Sequence, residues 1–248
     1  MALQDVVARD LLTGPVDHRQ VEQVLLSDGW TPCGAGDWAI ALRSPDGSTA
    51  ARISPFDPTG PYSAALYARA AHTRQVPVLL AHRRLTGGGD LQVLEWLAPV
   101  PQDEAVAFFD ALAEPSPDLA ELAAIVHDVH QQALRALPWC GPLDRNPANV
   151  MRAADGRLVV LDLFYADGPD LYGTAGSDPD HVVALIPESE RRFMTEIPLA
   201  ASGPWDPASR EAMRAGLAAA DARREAEGMT GGGRAVDPDE SRPRTEEL

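Results

Sequence analysis

Asp144, Asn149 and Asp162 are the side chains whose types and spacing best suit chemistry. Asp144 and Asn149 stand five apart in Leu143-Asp144-Arg145-Asn146-Pro147-Ala148-Asn149. Asp162 follows Asp144 by 18 residues, at the end of the apolar run Leu158-Val159-Val160-Leu161. Two carboxylates and an amide are hard oxygen donors. Such a set could handle phosphate groups together with Mg²⁺, which binds through few protein oxygens and keeps several waters. The plainer alternative is that Asp and Asn beside a proline are ordinary turn formers.

These residues need elements to position them. Residues 3–27 read as helical, broken at Gly14-Pro15. Residues 38–42 and 49–53 read as strands around a Ser44-Pro45-Asp46-Gly47 turn. An Ala-rich helix is expected over 62–73, then strands over 76–85 and 91–97 around Gly87-Gly88-Gly89-Asp90. Pro99-Val100-Pro101 marks a change of regime. A helix over 104–112 follows, then one opened by Asp118 as N-cap, with Glu121 three residues on, and running to Leu137. The Asp144 loop leads into a hairpin, 150–151 and 158–161, with Ala154-Asp155-Gly156 at its turn. Residues 165–180, rich in Gly, Asp and Pro, read as loop. Residues 188–197 and 209–225 read as helices, and 226–248 as a disordered acidic tail. A strand-rich first part before a helix-rich second part predicts an α+β protein of two lobes. The expected divisions are 1–98, 99–225 and 226–248.

Pro142-Leu143-Asp144-Arg145-Asn146-Pro147-Ala148-Asn149 resembles the catalytic loop of the protein-kinase-like superfamily. That loop reads His-Arg-Asp-x-x-x-x-Asn in protein kinases and His-Gly-Asp-Leu-His-Pro-Gly-Asn in aminoglycoside phosphotransferases. The resemblance covers roughly residues 30–197. It is nearest to the aminoglycoside-phosphotransferase-like and atypical bacterial or phage-type kinases. It implies a two-lobed kinase-like fold, with a small antiparallel-sheet N-lobe and a mostly helical C-lobe. It also implies ATP and Mg²⁺ as cofactors. Asp144 would act as the base on a substrate hydroxyl, and Asn149 and Asp162 would hold the metal. Gly34 and Gly36, in Gly34-Ala35-Gly36-Asp37-Trp38-Ala39, match the Gly-rich turn over the phosphates, with Ala39 where a third glycine would stand. Arg52 falls where the phosphate-binding lysine would sit. Glu95-Trp96-Leu97 resembles the hinge whose backbone meets the adenine.

The sequence departs from the pattern in three places. Pro142 replaces the loop histidine, so the loop's internal brace is missing. All 21 basic residues are arginine, so no lysine is available. The 62–73 helix carries no acid to pair with Arg52; Asp57 and Asp90 are the nearest, and Asp162 is a further candidate partner. Arginine offers a planar fork where lysine offers a point charge. Ile186-Pro187-Glu188 lies where an Ala-Pro-Glu would close the activation segment, a match that chance would also supply. His127 and His130, three apart, read as helix packing and surface rather than as metal ligands.

Composition bounds the partners. A net charge of −16 over 248 residues argues against non-specific binding to nucleic acid or anionic membrane, which needs clustered positive charge. It would welcome a cationic substrate. Two cysteines cannot build a secreted disulfide framework. Without a long apolar run or a basic-then-apolar start, the chain is expected to be cytoplasmic. The leading expectation is transfer of the ATP γ-phosphoryl group to a hydroxyl-bearing small molecule, or to a protein. The alternative is a pseudokinase that binds a nucleotide or a protein partner without phosphotransfer. A transferase moving another group, such as a nucleotidyl group, is a third reading.

Overall fold

In a computed structural model of the chain, residues 14–197 and 206–231 are described. Helix α1 (His18–Ser27) opens on a capping box between Asp17 and Gln20, and buries Val21 and Leu25. Five strands follow: β1 (Thr31–Ala35), β2 (Ile40–Arg43), β3 (Thr49–Ser54), β4 (Leu79–Arg84) and β5 (Asp90–Glu95). They form one antiparallel sheet in the order β1-β2-β3-β5-β4. The β2–β3 turn is set by Asp46, whose Oδ1 accepts from the Ser44 hydroxyl and the Ser48 N–H.

Side chains alternate across this sheet, as the pleat demands. Ala51 and Ile53 of β3, with Leu91 and Val93 of β5, pack on α1. Ala50 and Arg52 therefore face the other way, into a cleft. Helix α2 (Gly60–Ala70) connects β3 to β4 and buries Leu66 and Tyr67.

The second lobe holds α3 (Gln102–Ala113), α4 (Ala120–Ala136), α5 (Gly168–Ser177), α6 (Pro179–Leu185) and α7 (Pro207–Gly231). A three-stranded sheet of β6 (Leu97–Pro99), β7 (Val150–Ala153) and β8 (Leu158–Val160) sits beneath the cleft. One core joins the lobes: Leu66, Tyr67 and Ala70 of α2 pack with Phe108, Phe109, Val126 and Val129. A second core in the helical lobe gathers Leu171, Tyr172, Val182, Met194, Met213 and Leu217. Among the described residues, no helix is long and apolar enough to cross a membrane.

Several expectations need correction. Residues 165–180 are not loop: they hold α5 and the start of α6. Their Asp and Pro residues are helix starts, not breakers. Asp167 and Asp178 accept hydrogen bonds from N–H groups of the first turns, and a proline stands at the first or second position of each helix. Residues 188–197 form two short 3₁₀ turns, Glu188–Glu190 and Met194–Glu196, instead of one α-helix. Asp118 does not cap α4, which begins two residues later without a side-chain cap. The strand over 91–97 is two strands in two sheets, β5 and β6. Helix α7 runs through 226–231, where a tail was expected. The expected helix over 3–13 and the tail over 232–248 lie outside the described residues.

Candidate active site

The Asp144 loop is held by the segment that carries Asp162. The Asp167 N–H donates to Trp139 O, the Gly141 N–H to Tyr165 O and the Asp144 N–H to Leu163 O, at 2.8, 2.9 and 2.9 Å. The two segments thus run antiparallel, which brings residues 18 apart in sequence side by side. A 3₁₀ turn, Pro147–Asn149, follows Asn146, whose side chain accepts from the Ala148 N–H.

Asn149 links the two acids. Its Nδ2 donates to Asp144 Oδ2 at 3.0 Å and to the Asp162 carbonyl at 3.2 Å. The Asn146 N–H fixes the other Asp144 oxygen, Oδ1, at 2.9 Å. With Nδ2 so engaged, Asn149 Oδ1 is the atom left to meet a cation. Asp162 has φ +48°, a left-handed conformation uncommon for a side-chain-bearing residue and concentrated at functional sites. Its N–H donates to the Tyr67 hydroxyl oxygen at 3.1 Å. Burial, then the Asp162 carboxylate, push the Tyr67 phenol well above its ordinary pKa, so it stays neutral.

Arg52 reaches both sides of the cleft. Its Nη1 lies 2.7 Å from Asp57 Oδ2 and its Nε 3.2 Å from Asp162 Oδ1. Burial alone would lower the guanidinium pKa. The Asp162 and Asp57 carboxylates outweigh that and hold it above its usual value. Asp57 is the acid that α2 lacks, supplied from the loop before the helix. Its Oδ1 accepts from Thr59 N–H, Thr59 Oγ and Gly60 N–H at 2.9, 2.8 and 2.8 Å. The signal was present in Asp57-Pro58-Thr59-Gly60-Pro61, an Asp just upstream of a helix-starting proline.

The roof is the β1–β2 turn. The Gly36 N–H donates to Ala39 O at 2.9 Å. A Cβ on Gly34 or Gly36 would meet no atom within 4 Å, so no contact among the described residues requires glycine there. Trp38 at the turn's tip lies against Phe56 and Tyr172, with ring centroids 6.1 and 6.3 Å apart, so the roof rests on the helical lobe.

Glu95, Trp96 and Leu97 line the back of the cleft. The Glu95 carboxylate is turned away: Oε1 accepts from the Val78 N–H at 2.7 Å and from the Arg157 guanidinium. Arg157, on the β7–β8 turn, also donates to Val76 O at 3.0 Å. Glu95 therefore ties the lobes together at the back. Glu95→Ala should cost about 1–3 kcal/mol in urea unfolding, because a mostly buried arginine is left with Asp155 as its one remaining carboxylate partner among the described residues. A loss under a few tenths would show that the pair contributes no more than a surface ion pair does. The Trp96 N–H is taken by Ser48 O at 2.8 Å, and its ring carries the Arg43 guanidinium at 3.9 Å.

The cleft encloses about 710 Å³, within the range of small-ligand sites. It brings together Gly34, Gly36, Arg52, Asp144, Asn149 and Asp162. Apolar walls come from Ile40, Leu94, Met151 and Leu161.

No protein-family model and no curated protein matches the chain. Solved structures do. An aminoglycoside phosphotransferase from Streptomyces rimosus is 16% identical, with 83% of this chain and 99% of that one covered and a TM-score of 0.33. An apo pseudokinase is 14% identical over 86% and 96%, with a TM-score of 0.33. A choline/ethanolamine kinase family protein from Mesorhizobium loti is 14% identical over 94% and 87%, with a TM-score of 0.32. The small antiparallel sheet, the helical lobe and the acids between them form a two-lobed α+β arrangement, as the loop motif implies.

Proposed function

We propose that the chain is a Mg²⁺-dependent phosphotransferase that moves the γ-phosphoryl group of ATP to a hydroxyl of a small molecule. The observation that carries this is the convergence of Arg52, Asp144, Asn149 and Asp162 on one cleft. The donor set fits Mg²⁺. Asn149 Oδ1 and Asp162 Oδ2 have no hydrogen-bond partner among the described residues, and both are oxygens of the kind that cation takes. When bound, Mg²⁺ neutralises phosphate charge as it builds up in the transfer. Asp144, oriented by the Asn146 N–H and Asn149, accepts the substrate hydroxyl's proton. Arg52, fixed by Asp57, offers fork N–H groups to phosphate oxygens in the lysine's place. Gly34 and Gly36 leave open space beneath the roof for phosphates to approach backbone. Catalysis is then positioning plus charge neutralisation.

A second reading has its own support. Arg52 already pairs with Asp162, so the metal aspartate is partly neutralised before any cation arrives. This favours a pseudokinase, a nucleotide-binding or protein-interacting scaffold without transfer.

Two measurements separate them. With Mg²⁺, γ-labelled ATP and a panel of hydroxyl acceptors, the wild type should label a product and Asp162→Ala should lose at least about 10²-fold in rate. Equal labelling by both proteins sinks the metal assignment. Stabilisation by Mg²⁺-ATP in a thermal-shift titration, with no labelled product, selects the scaffold.

A further inference from the structure

We propose that His130 is a positioning residue that braces both halves of the site from helix α4, in place of the histidine that Pro142 displaces from the loop. The inference rests on the nucleotide-site reading above for its functional meaning, and on geometry for its placement.

His130 touches the two segments that carry the acids. Its Nε2 lies 2.9 Å from the carbonyl oxygen of Gly141, three residues before Asp144. Its ring stacks on Phe164, two residues after Asp162, with centroids 5.8 Å apart and planes 10° from parallel. A carbonyl only accepts, so Nε2 must carry the hydrogen, which fixes the tautomer of a neutral ring. One side chain thus holds the Asp144 loop by a hydrogen bond and the Asp162 segment by a ring face.

The junction it grips has little slack. A Cβ on Gly141 would lie 2.6 Å from the Tyr165 ring, so the loop approaches the facing segment as closely as glycine allows. The Gly141 N–H already donates to Tyr165 O, which leaves its carbonyl to be met from the α4 side. The Phe164 carbonyl lies 3.1 Å from the Thr59 hydroxyl, whose single hydrogen it shares with Asp57 Oδ1 at 2.8 Å. His130, Phe164, Thr59 and Asp57 therefore form a continuous line of contacts from α4 to Arg52. His127 is exposed and shares none of this.

Two variants separate the hydrogen bond from the ring. His130→Phe keeps a ring for Phe164 and removes the donor. His130→Gln places an amide N–H at similar reach. Amide hydrogen exchange at Gly141 and Asp144, whose N–H groups bond to Tyr165 O and Leu163 O, reads the brace without needing activity. His130→Phe should speed exchange at both amides by about five- to tenfold, the effect of one lost hydrogen bond, with α4 itself unchanged. His130→Gln should stay near the wild type. In turnover, His130→Phe should lower kcat while KM for Mg²⁺-ATP holds, and His130→Gln should restore kcat.

Unchanged exchange in His130→Phe overturns the proposal. Equal acceleration along α4 in both variants does so too, since that marks plain helix packing. If the wild type neither binds nor turns over nucleotide, the phosphotransfer reading falls, and the exchange result alone decides whether His130 braces the loop.

Discussion

Arg52→Met is expected to cost about 3–5 kcal/mol of folding stability, read by urea unfolding, and to abolish nucleotide-dependent stabilisation. The reason is what it strands. The Asp57 side chain is 3% exposed, and it loses its one charged partner among the described residues. Breaking a buried pair by removing one member leaves an uncompensated charge, which costs more than the pair itself contributes. The bonds from Thr59 and Gly60 remain and keep the figure from rising further. Arg52→Lys is the sharper functional probe. A single ammonium cannot reproduce a fork that meets Asp57 through Nη1 and Asp162 through Nε. Lysine should therefore retain most of the stability while leaving Asp162 unpaired. Stronger Mg²⁺-ATP binding in Arg52→Lys would mean that Arg52 restrains the metal site. Weaker binding would mean that the guanidinium holds phosphate. A stability loss below about 1 kcal/mol in Arg52→Met would refute the buried-pair account altogether.

Gly88→Ala should be the most damaging single-methyl change. A Cβ there would sit 2.0 Å from the Glu190 carbonyl oxygen, and the residue has φ +89°. The obstacle is backbone, so nothing flexible can move aside. Left-handed strain of about 1–2 kcal/mol adds to overpacking of about 1–3 kcal/mol. For a chain of this size that lowers Tm by roughly 5–15 °C. Gly156→Ala is the matched control. It has φ +87° but open space around the would-be Cβ, so only the backbone strain applies. Similar losses in the two variants would rule out the Glu190 contact as the cause. The damage should also reach the site. The Gly88 carbonyl accepts from the Asp57 N–H at 2.9 Å, and Arg84 joins the Asp57 carbonyl to the Glu190 carboxylate. Displacing the β4–β5 turn therefore displaces the acid that fixes Arg52.

The legible parts of the fold are those that depend on short stretches of chain. The β2–β3 hairpin follows from an Asp-Gly turn between alternating residues, and the Asp144 loop from its proline and two Asx residues. The misread parts are where one residue type has two local roles. Asp and Pro over 165–180 signal loop by composition, yet they cap and start two helices. What decides between the roles is a place to bury Leu171, Tyr172, Val182 and Val183, and the helical lobe provides it. Residues 188–197 have helical spacing but break into 3₁₀ turns. There Arg191 is buried and donates to Ile186 O and to Asp221, and the second partner, 30 residues on, lies outside any local window.

The order of residues is enough to name the groups this protein can bring to chemistry: Asp144, Asn149 and Asp162 at spacing that suits a loop facing a strand end, and arginine as its only strong base. It also narrowed the partner of Arg52 to a few acids. Only the tertiary structure chose among them, because a guanidinium pairs with whatever carboxylate the folded chain leaves within about 3 Å. It selected Asp57 and Asp162 together, and placed His130 where a loop histidine was missing. Contacts between residues tens of positions apart are set by how the helices and sheets bury their apolar faces. No local pattern of residues encodes them.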